Sequence, residues 1–123
     1  MRMNLGSGMM ALGLLAAPAV AQSPHRLVIV VGHANDPRVS EQHAGLEHDA
    51  AALRERDVVI QDVTPEAARR DRPDLGTDPD SSFEVLLVGK DGQVKLRRDT
   101  PVAAREITAL IDTMPMRRAE MRR

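Results

Sequence analysis

The residues best suited to chemistry follow a short apolar run in the first third of the chain. Residues 32–38 read Gly-His-Ala-Asn-Asp-Pro-Arg, directly after the apolar run 27–31. Imidazole, carboxylate and guanidinium groups can transfer protons or bind a polar ligand. We define a candidate ligand rim from this stretch and from the ends of two later segments: His33, Asn35, Asp36, Arg38, Asp62 and Arg97. The alternative interpretation is that Asp36 caps a helix and that the other side chains are solvated.

Basic side chains recur in three other parts of the chain and form a second candidate site. We define this candidate docking surface as Arg54, Arg56, Lys90, Arg117, Arg118, Arg122 and Arg123. Such a surface would suit an acidic protein partner or the anionic face of a membrane. The alternative is that Asp57, Asp91 and Glu120 neutralise it in a network of surface ion pairs, each worth about 0–1 kcal/mol.

The spacing of histidines and methionines gives little support for a metal site. His43 and Glu47 lie one helical turn apart, but His43 and His48 would project about 140° from each other on a helix. Two ligands do not make a closed site, so we expect His43 to be a half-buried packing residue. Soft ligands for copper are offered by three methionines, Met114, Met116 and Met121. Core packing is their alternative role, and we predict no bound metal and no cofactor.

The composition excludes several classes of function. The chain has no cysteine, which excludes thiol redox chemistry, thiolate nucleophiles and thiolate zinc sites. Its 17 basic residues are balanced by 18 acidic ones, and Phe83 is the only aromatic residue, so we expect no nucleic-acid partner. Neither a nucleophile elbow nor a glycine-rich phosphate loop is present. We therefore assign no catalytic residue, and whether the protein is an enzyme stays open.

The elements that would position these residues alternate between strands and helices. The run 27–31 is apolar on both faces, as in a strand buried inside a sheet. Asp36 and Pro37 can start a helix, and apolar spacings of three and four residues predict that it extends over 37–56. Its predicted buried stripe contains Val39, His43, Leu46, Ala50 and Leu53. A second strand begins at 58–60, and so short a strand–helix–strand unit predicts parallel strands.

A hairpin is predicted after a long segment rich in turn signals. Residues 64–82 hold four such signals and have room for at most one short helix, over 66–70. Strands over 83–90 and 93–98 flank the pair Asp91-Gly92, which readily adopts the positive φ angles of a tight turn. The first arm is apolar on both faces and the second alternates, so we expect an inner strand and an edge strand.

A last helix is predicted after the hairpin. Thr100 can cap it and Pro101 suits its first position. Pro115 is expected to stop this helix, because proline lacks the N–H group that a helix interior needs. Residues 116–123 are then predicted to form a short basic tail.

This order of elements predicts an α/β fold with one four-stranded mixed sheet. The two strands that are apolar on both faces must lie inside the sheet, which gives the order 2-1-3-4 with helices packed on it. This is the minimal thioredoxin-like arrangement. A ferredoxin-like fold would need a full helix between the second and third strands and a different strand order. The predicted order places the ligand rim at one end of the sheet and the docking surface at the other.

Four stretches of the chain resemble the DUF4174 family, a domain of unknown function found in short exported bacterial proteins. Related domains occur in animal extracellular proteins such as equarin. The stretches are 27–31, 54–60, 83–97 and 110–122. The resemblance implies a thioredoxin-like, peroxiredoxin-related fold with no established activity. In redox members of that fold the reactive cysteine lies where this chain has residues 32–38, so no thiol mechanism is implied here.

An export signal precedes the predicted domain. Arg2 is followed by an apolar run over 9–17 and by Ala19-Val20-Ala21, a small-x-small cleavage signature. The run is far shorter than the roughly 20 residues that span a bilayer, so we expect a periplasmic or secreted protein with no membrane span. The predicted organisation has three parts: a cleavable signal peptide over 1–21, a linker over 22–25 and a domain over 26–123.

These observations favour a non-catalytic binding or accessory module of the cell envelope that recognises a protein partner. Two alternatives come from other classes: a thiol-independent enzyme that uses the ligand rim, and a soft-metal carrier that uses the methionines of the tail. A deep pocket with a strongly shifted pKa at His33, Asp36 or Asp62 would favour the enzyme. Binding of copper(I) would favour the carrier.

Overall fold

The sheet has four strands in the predicted order. A computed structural model describes residues 22–123 of the chain, so the predicted signal peptide lies outside the described residues. The strands are β1 (Arg26–Val31), β2 (Val58–Val63), β3 (Glu84–Val88) and β4 (Val94–Arg98), and the sheet order is β2-β1-β3-β4. β1 and β2 are parallel, whereas β3 is antiparallel to both of its neighbours, β1 and β4. The predicted mixed sheet of order 2-1-3-4 is therefore confirmed.

Helices cover both faces of this sheet. They are α1 (Pro37–His48), α2 (Ala50–Glu55), α3 (Pro65–Asp71), a 3-10 turn (Pro73–Leu75), α4 (Ala104–Asp112) and α5 (Pro115–Met121). None of the helices in residues 22–123 is long and apolar enough to cross a membrane.

Two apolar clusters hold the layers together. The larger cluster lies on the face covered by α1, α2 and α4, and its members include Val28, Val30, Leu46, Phe83, Val85 and Ile107. The smaller cluster lies on the face covered by α3 and the 3-10 turn, and it contains Ile29, Val31, Ala68, Leu75, Leu86 and Val88. β1 and β3 contribute to both clusters, which confirms that these strands are buried on both faces.

α1 begins as predicted, but it ends earlier. The Asp36 carboxylate accepts a hydrogen bond from the Arg38 N–H at 2.9 Å and so caps the helix. The prediction of one helix over 37–56 is wrong, because the chain leaves helical geometry at Asp49 (φ −115°, ψ 30°) and starts again as α2. Aspartate is a weak helix former, and the Asp49 side chain makes no capping hydrogen bond at the start of α2. The predicted stripe omitted Gln42, which is buried, whereas His43 is half-buried as expected.

The hairpin is confirmed, with a longer turn than predicted. Gly92 has a positive φ of 82°, and its N–H donates to the Gly89 carbonyl at 2.9 Å. The Gly89 N–H in turn donates to the Gln93 carbonyl at 2.9 Å. A left-handed glycine after a turn is typical of hairpins that carry a bulge, and the register between β3 and β4 shifts between Leu87 and Val88.

The last helix starts three residues later than Pro101. Val102 is buried, and its N–H and C=O groups both bind the side chain of Gln42. The Val102 carbonyl accepts from Gln42 instead of from the Glu106 N–H, which donates to the Ala103 carbonyl, and α4 starts at Ala104. The predicted basic tail is corrected as well, because Pro115 occupies the first turn of a new helix, α5, where its missing N–H costs little.

Candidate functional site

A groove opens between α1 and the end of β2. Its volume is about 640 Å³, and it lies at the carboxyl ends of the two parallel strands, a frequent ligand position in α/β sheets. Small and apolar groups form much of its wall, among them Gly32, Val39 and Ala44. The polar side chains that line it are Ser40, His43, Glu47, Asp62 and Thr64.

A histidine–aspartate pair joins the two sides of this groove. His43 Nε2 lies 2.6 Å from Asp62 Oδ1, and the two side chains are 39% and 58% exposed. His43 comes from the second turn of α1, whereas Asp62 lies one residue from the end of β2. The sequence analysis placed Asp62 on the ligand rim but interpreted His43 as a packing residue. The sequence signal for Asp62 is its place at the carboxyl end of a predicted parallel strand, whereas no local pattern marks His43 as its partner.

Asp36 and Arg38 form a second pair on the predicted rim. Arg38 donates to both carboxylate oxygens of Asp36, at 3.0 and 2.6 Å, and these bonds hold the pKa of Asp36 below its ordinary value. Arg38 also donates to Ser82 Oγ at 2.8 Å and lies over the Phe83 ring, 5.1 Å from its centre. The pair therefore fastens the start of α1 to the segment before β3, and Asp36 is held ionised rather than ready to transfer a proton.

The other rim residues lie apart from the groove. His33 Nε2 lies 2.9 Å from Glu66 Oε1 on α3. Arg97 donates to the Leu75 carbonyl at 2.6 Å and lies 3.6 Å from the buried carboxylate of Glu84. Asn35 is exposed. Of the six predicted rim residues, Asp62 is the one that lines the groove.

At the opposite end of β1, a buried arginine organises the first of two ion-pair networks. Arg26 is 1% exposed, and its guanidinium lies 3.3 Å from both Glu120 oxygens and 2.9 Å from the Arg56 carbonyl. Lys90 Nζ donates to Glu120 at 2.7 Å and to Asp57 at 2.8 Å. Burial opposes the charge of Glu120, but the bonds from Lys90 and Arg26 outweigh it and hold the pKa of Glu120 below its ordinary value.

The second network joins α2, α4 and α5, and its Arg117 lies 3.7 Å from Glu120 of the first network. Arg56 donates to both oxygens of Asp112, at 2.9 and 3.0 Å, and this lowers the pKa of Asp112. Arg117, whose side chain is 8% exposed, lies 3.4 Å from Asp112 and donates to the Glu55 carbonyl at 3.4 Å. Sequence reasoning missed Arg26 and Asp112, because their partners are distant in the sequence and no local pattern marks them.

The predicted docking surface therefore separates into two groups. Arg56, Lys90 and Arg117 are occupied in the two networks. The second group comprises Arg54, Arg118, Arg122 and Arg123, which are exposed. These four form no ion pair with another residue of the described chain, and they keep the prediction of a docking surface open.

The methionines do not converge on one point. Met114 packs against the larger core cluster, whereas Met116 and Met121 are exposed and lie about 140° apart around α5. Within residues 22–123, no group of three histidine, aspartate or glutamate side chains is placed to hold a metal ion.

Comparison with solved structures shows the class of fold. Thioredoxin-2, described as a component of a malaria parasite protein secretion machinery, superposes with a TM-score of 0.55 at 13% sequence identity. The alignment covers 73% of this chain and 84% of that protein. At this identity the similarity shows a thioredoxin-like fold and nothing more.

Comparison of sequences places the chain in a family. No curated protein gives a significant match. The sequence profile described as domain of unknown function DUF4174 matches residues 19–120, which is most of the chain. The chain therefore belongs to the DUF4174 family and has a thioredoxin-like fold that contains no cysteine.

Proposed function

We propose that this protein is an exported, non-catalytic binding module of the cell envelope that holds an extended segment of a partner protein in the α1–β2 groove. The observation that carries the proposal is the groove itself, with its partly apolar wall and its His43–Asp62 pair. A thioredoxin-like scaffold without cysteine has no thiolate to act on a bound segment. Recognition is then the activity that the groove supports.

The dimensions of the groove suit a short extended peptide. Ser40, Ala44 and Glu47 follow one face of α1 along the groove, and seven residues of helix measure about 10 Å. That length accommodates roughly three residues of extended chain. β2 borders the groove and, among the described strands, pairs only with β1. Its outer backbone groups can therefore pair with an added strand.

The charge of the groove indicates which peptide it would accept. Glu47 and Asp62 contribute carboxylates, and neither lysine nor arginine is among the residues that line the groove. A basic side chain flanked by apolar residues would match both the charge and the apolar wall. An acidic segment would be repelled.

The absence of cysteine makes a site-specific crosslinking experiment possible. Ala44→Cys places one thiol in the groove, and Ala109→Cys places one on an exposed position of α4 as the matched control. Each variant is labelled with a thiol-reactive benzophenone and irradiated in cell-envelope extract. We expect an adduct from position 44 that position 109 does not give, and we expect the crosslinked peptide to contain a basic residue among apolar ones.

A charge reversal in the groove provides the second test of peptide binding. The crosslinked peptide is synthesised, and its affinity is measured by titration calorimetry with and without Asp62→Lys. We expect Asp62→Lys to weaken binding by on the order of ten-fold or more, equivalent to about 1.4 kcal/mol. Equal adducts from positions 44 and 109, or an affinity unchanged by Asp62→Lys, would refute the groove as the binding site.

A further inference from the structure

The outward face of α5 carries the exposed arginines that the ion-pair networks leave unneutralised. Arg118 and Arg122 are four residues apart and share one side of the helix. The opposite side holds Arg117 and Glu120, which are fixed against the domain by the networks. Arg122 is the residue directly after the helix and Arg123 is the next one, and Arg118, Arg122 and Arg123 are all exposed. Within the described chain, these three side chains have no carboxylate partner.

The same helix carries two exposed methionines, and one of them lies beside the arginines. Met116 is 41% and Met121 is 51% exposed, and only one other large apolar residue of the described chain, Val59, reaches comparable exposure. On a helical projection, Met121 lies about 60° from Arg118. Met116 lies about 40° from Glu120, on the side of α5 that faces Arg26 and Lys90. The outward face of α5 therefore presents a cationic ridge with the thioether side chain of Met121 on one flank.

We propose that this face of α5 docks the domain onto an anionic lipid surface. Arginines among exposed apolar side chains are the pattern of helices that lie at a membrane interface, where the cations meet lipid phosphates and the apolar groups enter the headgroup boundary. A defined acidic peptide would require converging donors in a concave site. The hollow beside Met116 measures only about 70 Å³. The convex face of α5 therefore fits a continuous lipid surface better than it fits a peptide.

The networks beneath α5 would fix the orientation of the docked domain. Arg26 begins β1 and contacts Glu120 of α5, whereas Gly32, directly after β1, lines the groove. Six residues of strand separate the two ends by about 17 Å. Docking through α5 would therefore turn the groove away from the lipid surface.

The proposal is tested by co-sedimentation with vesicles. The protein used begins at Gln22, because both core clusters and every described element lie after that residue. Vesicles of phosphatidylglycerol mixed with phosphatidylcholine are compared with vesicles of phosphatidylcholine alone, at low and at high salt. We expect binding to the anionic vesicles at low salt and its loss at high salt, since salt screens the attraction.

Two triple variants with the same change in net charge distinguish an effect of the α5 arginines from an effect of the total charge of the protein. The test variant carries Arg118→Gln, Arg122→Gln and Arg123→Gln, and the control carries Arg69→Gln, Arg98→Gln and Arg105→Gln, which are exposed elsewhere. Each arginine near an anionic surface contributes about five-fold, so the test variant should bind on the order of 100-fold more weakly. The control should bind within about two-fold of the parent, because charges beyond a Debye length are screened. Circular dichroism checks that both variants are folded.

Three results would overturn the proposal. The first is that the parent does not bind phosphatidylglycerol vesicles, and the second is that both triple variants lose binding equally. The third is that the parent binds a polyglutamate peptide in preference to the vesicles, which would assign the surface to an acidic protein. A several-fold loss of vesicle binding with Met121→Gln, and little change with Met116→Gln, would support insertion of the Met121 side chain. Because these measurements do not involve the groove, they are independent of the proposed peptide binding.

Discussion

His43 Nε2 lies 2.6 Å from Asp62 Oδ1, and this contact joins the second turn of α1 to the last residues of β2 across the groove. The two side chains are 39% and 58% exposed, so water screens their attraction. Exposed pairs of this kind contribute about 0–1 kcal/mol. Their position in the groove makes recognition, rather than folding, the property that they should affect.

A double-mutant cycle on His43 and Asp62 should give a small coupling energy. We expect His43→Ala, Asp62→Ala and the double variant to yield a coupling of less than about 1 kcal/mol by urea denaturation. If the crosslinked peptide binds as proposed, the same variants should lower its affinity more than they lower stability. A coupling of several kcal/mol would instead identify the pair as a structural element.

Substitution of the buried Gln42 should destabilise the domain strongly. Its side chain donates to the Val102 carbonyl at 2.9 Å and accepts from the Val102 N–H at 2.7 Å. Gln42→Met removes both bonds and leaves two buried backbone groups unpaired, at a cost of about 2–4 kcal/mol. Urea denaturation measures the loss, and hydrogen exchange at the Val102 amide should accelerate. Gln61→Met on the exposed part of β2 is the control and should change stability little.

Removal of the Glu120 carboxylate charge should cost more than removal of a surface charge. Glu120→Gln leaves Arg26, which is 1% exposed, without its charged partner, and breaking a buried pair costs about 3 kcal/mol. Glu106→Gln breaks a pair with Arg98 in which both side chains are about half exposed, and it should have a small effect. Equal losses in chemical denaturation would contradict the assignment of Arg26 and Glu120 as the organising pair.

Stability should decrease in acid through the carboxylates of the two networks. Asp112 and Glu120 have folded-state pKa values below their ordinary values of 3.8 and 4.5. The unfolded chain therefore binds more protons in this range, and stability falls as the pH drops through about 4.5 and onward past the folded pKa values. The variant with Asp112→Asn and Glu120→Gln should show a smaller decrease in Tm between about pH 6 and about pH 3. An unchanged slope would show that other carboxylates control acid unfolding.

Two glycine-to-alanine substitutions should have opposite signs. A Cβ at Gly45 would meet no atom within 4 Å apart from the neighbouring backbone of α1 itself, so Gly45→Ala should stabilise α1 by about 0.5–1 kcal/mol. A Cβ at Gly32 would lie 2.7 Å from Val39 Cγ2 and 3.3 Å from the Phe83 ring. Gly32→Ala should therefore cost about 1–3 kcal/mol, and thermal melting compares the two variants directly. A stabilising Gly32→Ala would show that the wall of the groove can move.

Much of the fold follows from the sequence because the dominant signals are local. Apolar runs on both faces of β1 and β3 require these strands to lie inside the sheet, and this requirement gave the strand order before any contact was known. Asp36 and Pro37 likewise set the start of α1 through bonds within one turn. The absence of cysteine excluded thiol chemistry without reference to structure.

The errors arose where a distant contact overrides a local preference. Thr100 and Pro101 form a good helix start in isolation, but Gln42, 60 residues away, binds the backbone of Val102 and delays α4. In the same way, residues 116–123 were expected to form a solvated basic tail. Contacts from Arg117 and Glu120 instead hold α5 against the rest of the domain.

The sequence by itself determined the class of fold, the strand order and the exclusion of thiol chemistry, because each depends on composition or on neighbours within a few residues. Only the tertiary structure decided which charged residues are paired. Arg26 and Glu120 are 94 residues apart, and His43 and Asp62 are 19 apart. Charges attract over distance without leaving a periodic pattern in the sequence, so their partners emerge only when the chain has brought them together.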